Sequence, residues 1–290
     1  MSVFKKYVVS MGCLFCIFVF SGFVGCTDPA PVVSPPGYHL DQPKKFIMSE
    51  SLREISGIVC LRGNADTLYA IEDEQGKLFY FHPGDGKFDF KKFGKRGDYE
   101  DVTILNDREF VVLRSDGSLF VFPTSFVRDE NTDNVEKYEK ILPAGEYEGL
   151  FGDGNGRLIA LCKHCPEEDQ RDEVSGYELG RGEQGALTVK GHFTVDVSTL
   201  KLISRKEKFH PSCLARHPLT GEWYIISSVN KIMVVLDDHW KVKAGYPLDP
   251  SLFKQPEGLA FDSKGNMYIS NEGGQGNANV LLFHYEQARR

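Results

Sequence analysis

Short runs of apolar residues alternate with polar turn residues along most of the chain, and no segment after residue 38 has the long 3.6-residue periodicity of an amphipathic helix. The runs come in groups. An acidic or small polar residue precedes the first run, a turn follows, and then come a second and often a third run. Turns such as Asp116-Gly117 supply the positive φ angles that hairpins need. The pattern therefore predicts β-strands joined by tight turns.

This group of strands occurs five times along the chain. The first residues of successive groups lie 46, 48, 64 and 45 residues apart. The first strands begin at five polar residues: Glu54, Glu100, Glu148, Ser212 and Glu257. A period of about 45 residues with three or four short strands is typical of β-propeller blades. The one long interval contains a polar, charge-dense stretch, Pro166 to Gly185, which we predict to be an inserted loop.

Each blade also needs a fourth, outer strand. We predict these strands in the first four repeats at Phe88–Phe93, Val135–Leu142, Leu200–Phe209 and Trp240–Gly245. The fifth repeat has no such segment before Arg290, so Tyr38–Met48 is predicted to complete it and close the ring without a free sheet edge. The predicted fold is all-β, a five-bladed β-propeller closed by an N-terminal strand. A sixth blade would need about 45 further residues.

The N-terminus has the pattern of an export signal. Lys5 and Lys6 precede an uncharged run over residues 7–25, long enough for a membrane-spanning helix or the core of a signal peptide. The run ends in Phe-Val-Gly-Cys at 23–26, which resembles the bacterial lipobox, in which the cysteine is lipidated and becomes the first residue. A proline-rich stretch follows, as in an extended tether.

We therefore predict a lipoprotein signal peptide over 1–25, lipidation at Cys26, a tether over 26–37 and a propeller domain over 38–290. This organisation predicts a membrane-anchored lipoprotein of the bacterial cell envelope that faces the periplasm or the exterior. The alternative is a plain membrane anchor with an unrelated cysteine. In both cases the propeller lies outside the cytoplasm.

Composition and charge exclude some functions. Hydrophobic residues make up 41% of the chain and charged residues 26%, which is typical of a globular protein rather than a disordered one. The formal net charge of -7 argues against nucleic-acid binding, because that needs a basic surface. A monomer is expected. Cys162-Lys-His-Cys165 has redox or zinc spacing, but it has no second pair at a useful distance, so we expect a structural or fortuitous pair.

One face of the predicted propeller gathers carboxylates. The first strand of each blade starts where the antiparallel second strand ends, so both sets of residues reach the same face. Converging carboxylates repel unless a cation or a base compensates, and calcium prefers such oxygen ligands. We predict a metal site, with calcium as the expected ion, at Glu54, Asp73, Glu100, Glu148, Glu257 and Glu272.

The register of this site is uneven. Aligning Gly57 with Gly258 places Ser56, rather than Glu54, opposite Glu257, so Glu54 is expected on the same side at a different height. Another interpretation remains open. The glutamates at strand starts could accept backbone N–H bonds from the neighbouring blade or pair with Arg114 or Lys163.

Four motifs in register carry a family resemblance: Glu-Ile-Ser-Gly-Ile at 54–58, Tyr-Glu-Asp-Val at 99–102, Tyr-Glu-Gly-Leu at 147–150 and Pro-Glu-Gly-Leu-Ala-Phe-Asp at 256–262. They resemble the SdiA-regulated family of YjiK-like propellers, and the last blade is also similar to NHL-repeat blades. The resemblance covers about residues 38–288. It implies a five-bladed propeller, often tethered to the envelope, with a calcium site of unsettled purpose, and it implies no substrate.

Three functions are compatible with these patterns. The first is a non-catalytic binding protein that holds a ligand or an envelope protein at the acidic face. The second is a calcium-dependent hydrolase of the lactonase kind, with Asp73 or Glu272 as general base. The third is a scaffold whose charged loop, 166–185, docks a partner protein. Calcium-dependent lactonases are six-bladed propellers whose metal ligands follow an Asn/Asp pattern. The five blades predicted here, and the absence of that pattern from the sequence, favour the binding protein over the hydrolase.

Overall fold

Strands make up nearly all the regular structure of the computed structural model, which describes residues 32–129, 134–166, 172–200 and 208–287. The predicted signal peptide and Cys26 lie outside the described residues. Within the described part, no helix is long and apolar enough to cross a membrane. The strands are β1 Lys44–Ile47, β2 Ile55–Cys60, β3 Leu68–Glu72, β4 Lys77–Phe81, β5 Asp89–Lys92, β6 Tyr99–Asn106, β7 Glu109–Arg114, β8 Leu119–Pro123, β9 Glu136–Tyr138, β10 Glu146–Gly152, β11 Arg157–His164, β12 Glu173–Arg181, β13 Leu187–Asp196, β14 Cys213–Arg216, β15 Trp223–Ser227, β16 Ile232–Leu236, β17 Val242–Pro247, β18 Pro256–Phe261, β19 Met267–Asn271 and β20 Asn279–Phe283. Three short 3-10 helices accompany them: Glu50–Leu52, Leu61–Gly63 and Thr124–Val127.

The strands form five antiparallel sheets of four strands each. Four sheets follow the chain order from β2–β5 to β14–β17, and the fifth has the order β1-β20-β19-β18. This arrangement is a five-bladed β-propeller, so the predicted fold is confirmed. Blades one to five are numbered here from β2 onward.

The N-terminal strand closes the ring as predicted. β1 pairs antiparallel with β20, with Lys44 opposite Leu282. The residues before β1 are also packed, since Tyr38 and Leu40 are only 3% and 2% exposed. The Tyr38 hydroxyl donates a hydrogen bond to the Gly265 carbonyl at 2.5 Å. The chain is therefore fastened to blades four and five before β1 begins.

Two predictions for the third blade are wrong. The sequence predicts a loop over 166–185 and an outer strand at Leu200–Phe209, whereas the third and fourth strands are β12 and β13. Within β12, Val174, Tyr177 and Leu179 are buried and charged residues lie between and beside them, so the density of charge concealed a strand that is buried on both faces. Strands of nine and ten residues take up much of the extra length. Residues 201–207 lie outside the described part.

The other outer strands lie where the sequence predicts them. β5 falls within Phe88–Phe93 and β9 falls within Val135–Leu142, while β17 overlaps Trp240–Gly245. The residues of these three strands are exposed or half-buried, as expected for the rim of a propeller.

The hydrophobic core consists of five clusters, one between each pair of neighbouring blades. The innermost strands also touch directly. A Cβ placed on Gly57 of β2 would lie 2.6 Å from the Asp101 Cα and 2.6 Å from the Val102 nitrogen on β6. The buried Asp101 carboxylate accepts backbone N–H bonds from Val102 and from Leu150 on β10, both at 2.8 Å. Five blades are thus drawn tightly around a narrow channel.

The region from Val32 onward forms one compact unit. All five blades and all five core clusters use residues from Tyr38 onward. A chain that begins at Val32 therefore contains every strand and every core contact described above.

Candidate cation site at one mouth of the channel

A β-bulge at the start of the innermost strand presents the candidate residues. In four blades the pairing register shifts at this point, as between Tyr99 and Asp101 on β6. A bulge leaves one residue unpaired and redirects its side chain. The residues at this position in blades one to five, with Ser212 directly preceding β14, are Ser56, Glu100, Glu148, Ser212 and Glu257. We call these five residues the mouth ring.

Residues two and four positions further along the same strands form two more layers, because side chains on a strand repeat with a period of two. The layer after the mouth ring is apolar and buried: Ile58, Val102, Leu150, Leu214 and Leu259. The third layer contains Cys60, Ile104, Gly152, Arg216 and Phe261. A cavity of about 510 Å³ begins at the mouth ring, another of about 590 Å³ includes the two later layers, and the two share no lining residue.

The first cavity is strongly acidic, and we call it the acidic mouth. Seven carboxylates and three lysines line it. Five of the six predicted metal ligands are brought together here: Asp73, Glu100, Glu148, Glu257 and Glu272. The second-strand ends thus contribute Asp73 and Glu272 next to the ring, as the sequence predicts.

Glu54 does not line the acidic mouth. Its side chain is 40% exposed, and its carboxylate lies 3.9 Å from the Arg53 guanidinium. The bulge on β2 puts Ser56 in the ring, so Glu54 belongs two residues further out, at the level of Asp98 and Glu146. Both of these line the cavity and were missed by the sequence analysis. The two-residue period that moves Glu54 outward would have identified them.

Lys163 is the basic group in closest contact with the ring. Its ammonium donates a hydrogen bond to the Glu148 carboxylate, which agrees with the pairing that the sequence left open for one glutamate. Arg114, the other partner considered, pairs instead with Asp116 at 2.9 Å. The acidic mouth therefore has one lysine paired with a carboxylate of the ring, and its carboxylates outnumber its lysines.

A disulfide between Cys162 and Cys165 spans Lys163. The two cysteines are only 1% and 7% exposed, and their sulfurs pack against Gly145. Burial of both sulfurs argues against thiol exchange with another protein, since exchange needs access to a sulfur. The pair is structural and fixes the end of β11 beside the mouth ring.

The carboxyl groups of the acidic mouth are strongly perturbed. Burial, together with the nearby charges of Glu148 and Asp98, raises the pKa of Glu100 to about 9. Burial raises the pKa of Glu148 to about 7, although the Lys163 ammonium opposes this change. For Glu257, burial raises the pKa, while hydrogen bonds from the Ser212 and Ser228 hydroxyls oppose it.

The second-strand ends are perturbed in the same way. Burial, with the charge of Glu257 next, raises the pKa of Glu272 to about 8. Burial, with the charges of Glu72 and Glu54, raises the pKa of Asp73 to about 6, and one Asp73 carboxylate oxygen is buried without a hydrogen-bond partner in the described part of the chain. Ionising this set near neutral pH is unfavourable unless a cation accompanies it.

These shifts predict how stability depends on pH. A carboxyl group with a raised folded-state pKa stabilises the fold below its unfolded pKa and loses that contribution as pH rises through the folded value. We therefore expect the free energy of unfolding of the metal-free protein to fall between pH 5 and pH 9, by up to about 1 kcal/mol per pH unit for each group before screening by water. Denaturant unfolding at a series of pH values measures this slope.

Glu100→Gln provides the control for this prediction, because it removes the group with the highest pKa and keeps the side-chain shape. The variant should show a shallower decline at the upper end of the pH range. A stability that is constant or rising from pH 5 to pH 9 in the parent protein would contradict the assignment of these groups.

The side chains of the acidic mouth are of the kind that binds a hard cation, but their carboxylates lie too far apart to hold one ion together. Carboxylate and hydroxyl oxygens are the ligands that calcium takes. However, no group of three or more His, Cys, Asp or Glu side chains in the described ranges stands close enough to hold one metal ion. In this arrangement, the Glu148 carboxylate is paired with Lys163.

No protein-family model matches the chain, and no curated protein sequence matches it. Solved β-propellers are similar in fold. One is regucalcin, a calcium-binding protein from Agrobacterium tumefaciens, with 13% identity, a TM-score of 0.50 and coverage of 87% of this chain and 95% of that one. A luciferin-regenerating enzyme has 11% identity, a TM-score of 0.49 and coverage of 84% and 95%. Virginiamycin B lyase from Staphylococcus aureus has 10% identity, a TM-score of 0.42 and coverage of 80% and 67%. At these identities the likeness concerns the fold alone.

Proposed function

We propose that this protein is an envelope-tethered binding protein that holds a calcium ion at the acidic mouth and, beside it, a ligand or partner of the cell envelope. The observation that carries the proposal is the set of carboxylates around one channel opening, which are mostly half-buried and most of which have raised pKa values. A bound divalent cation would offset the repulsion among Glu100, Glu148 and Glu257.

The arrangement also supports a binding role. The acidic mouth is large enough for a small ligand beside an ion, at about 510 Å³. Apart from Val229, its lining is polar or charged, and the apolar layer lies beyond it among the residues that line the other cavity. Regucalcin, which shares the fold, is described as a calcium-binding protein, and the resemblance of the four blade motifs to the SdiA-regulated family implies the same ion.

Calcium binding to the folded state would raise its stability by RT ln(1 + [Ca]/Kd), about 2.7 kcal/mol at a hundredfold excess over Kd. In a domain of this size we expect the melting temperature to rise by about 5–10 °C. Glu100→Gln and Glu257→Gln keep the side-chain shape and remove a charge, so each should reduce this rise. Differential scanning calorimetry with and without calcium measures it.

Two outcomes distinguish the proposal from a purely structural role. If the ring binds calcium, the variants show a smaller calcium-induced rise and are at least as stable as the parent without the ion, because a neutral amide replaces a carboxyl group whose ionised form is unfavourable there. If the glutamates only support the blades, calcium leaves the parent's melting temperature unchanged and the variants are less stable with or without it.

The tether is a separate part of the proposal. The apolar run over 7–25 and the lipobox-like residues 23–26 support lipidation at Cys26, and the Cys162–Cys165 disulfide suits an oxidising compartment outside the cytoplasm. We expect Cys26→Ala to release the protein from membranes or to block its processing. Membrane fractionation and intact mass measure this. A variant that is cleaved and membrane-bound like the parent would contradict lipidation.

A further inference from the structure

The second cavity lies at the opposite mouth of the channel and plays no part in the proposed calcium site. It has a volume of about 590 Å³, within the range of small-molecule sites. The apolar layer forms its floor, including Val102, Leu150 and Leu214, which are each 2% exposed. Such a floor suits the hydrocarbon part of a ligand.

Arg216 is the one charged residue among the third-layer positions, which are otherwise Cys60, Ile104, Gly152 and Phe261. Its Nε donates to the Gly221 carbonyl at 2.9 Å, and its guanidinium lies 5.4 Å from the Trp223 ring centroid. These contacts hold the side chain at the cavity wall. It forms no ion pair with a carboxylate within the described residues, since its neighbour Glu222 pairs with Lys243. Its outer N–H groups are therefore available to an incoming anion.

The aspartates around this cavity are engaged elsewhere. Asp153 accepts backbone N–H bonds from Asn155 at 2.7 Å and Arg157 at 3.1 Å. Asp262 likewise accepts two backbone N–H bonds in its own turn, both at 2.9 Å. Asp107 lies 3.9 Å from the guanidinium of Arg62. Each carboxylate thus has local partners, and none of them forms an ion pair with Arg216 within the described residues.

We propose that the second cavity binds a small amphipathic monoanion, with its carboxylate on the Arg216 guanidinium and its hydrocarbon part against the partly buried Phe261 ring of the cavity wall and the apolar layer. A guanidinium presents two parallel N–H groups that match a carboxylate. The binding is independent of the acidic mouth, because the apolar layer separates the two cavities and they share no lining residue.

Equilibrium dialysis of the Val32–Arg290 protein against radiolabelled decanoate, below its critical micelle concentration, tests this site. We expect saturable binding to one site. Arg216→Gln should weaken it about tenfold or more, since a hydrogen-bonded charge pair is lost, and Arg216→Lys should restore part of the affinity. Lys241→Gln, which removes an exposed charge on the same blade outside the cavity, should leave binding unchanged.

Decanol and decyltrimethylammonium separate charge recognition from hydrophobic partition. The proposal predicts that both bind more weakly than decanoate. Equal binding of all three compounds, unchanged decanoate binding in Arg216→Gln, or no saturable binding of decanoate would each overturn it. Glu100→Gln should bind decanoate as the parent does, so failure of the calcium site and failure of this site are distinguishable.

Discussion

A chain that begins at Ser49 unfolds at a much lower temperature than one that begins at Val32, or fails to unfold cooperatively. The shorter chain lacks β1, so the edge of β20 is exposed in the fifth blade. It also lacks three buried side chains, Tyr38, Leu40 and Phe46. Burial of each contributes about 2 kcal/mol, so the total loss is about 5 kcal/mol or more.

A third chain that begins at Pro43 separates the two contributions. It keeps β1 and removes Tyr38 and Leu40, so its stability should lie between those of the other two. Calorimetric unfolding of all three chains measures the series. Equal melting temperatures for the Val32 and Ser49 chains would mean that the N-terminal strand does not hold the ring together.

Gly57→Ala should destabilise the protein by about 3 kcal/mol or more, a fall in melting temperature of about 6–12 °C. The new methyl group would lie 2.6 Å from the Asp101 Cα and from the Val102 nitrogen. Both are backbone atoms of the neighbouring blade, so the first and second blades must move apart. Calorimetry or denaturant unfolding measures the loss.

Gly191→Ala on β13 is the matched control. A Cβ there would have one neighbour, the Glu178 Cβ at 3.8 Å, and the residue lies in a strand like Gly57. We expect its stability to equal or slightly exceed that of the parent, because alanine restricts the unfolded chain. If both variants were equally stable, the close contact between innermost strands would not be a determinant of the fold.

The fold was largely predictable because each blade repeats one local pattern. The recurrence of Glu-Gly-Leu or a close variant marks β10 and β18, and the missing outer strand of the fifth blade indicated β1. The third blade was the exception. In β12, Glu173, Glu178 and Arg181 stand among the buried residues, and counting charges over a long interval suggested a loop.

The sequence predicted which strand positions reach the candidate site, but not every side chain that lines its cavity. Repeat alignment brought Glu100, Glu148 and Glu257 to one mouth, which the structure places in one cavity. The alignment also placed Ser56 opposite Glu257 and Glu54 at a different height, as the register of β2 confirms, but it did not show that Glu54 lies outside the cavity. Arg216 was not recognised, since its isolation from carboxylates is a property of the folded channel.

Calorimetric titration of the metal-stripped Val32–Arg290 protein with calcium at pH 8 tests the central claim most directly. We predict a saturable heat for one site, an affinity reduced at least about tenfold in Glu100→Gln and Glu257→Gln, and near-parental affinity in Glu54→Gln, whose side chain lies outside the cavity. Affinity should fall at pH 6, because Glu148, with a pKa of about 7, is then mostly protonated and calcium must also displace more protons from Glu100 and Glu272 than at pH 8. The absence of heat at millimolar calcium would contradict the calcium site and leave the glutamates with a structural role.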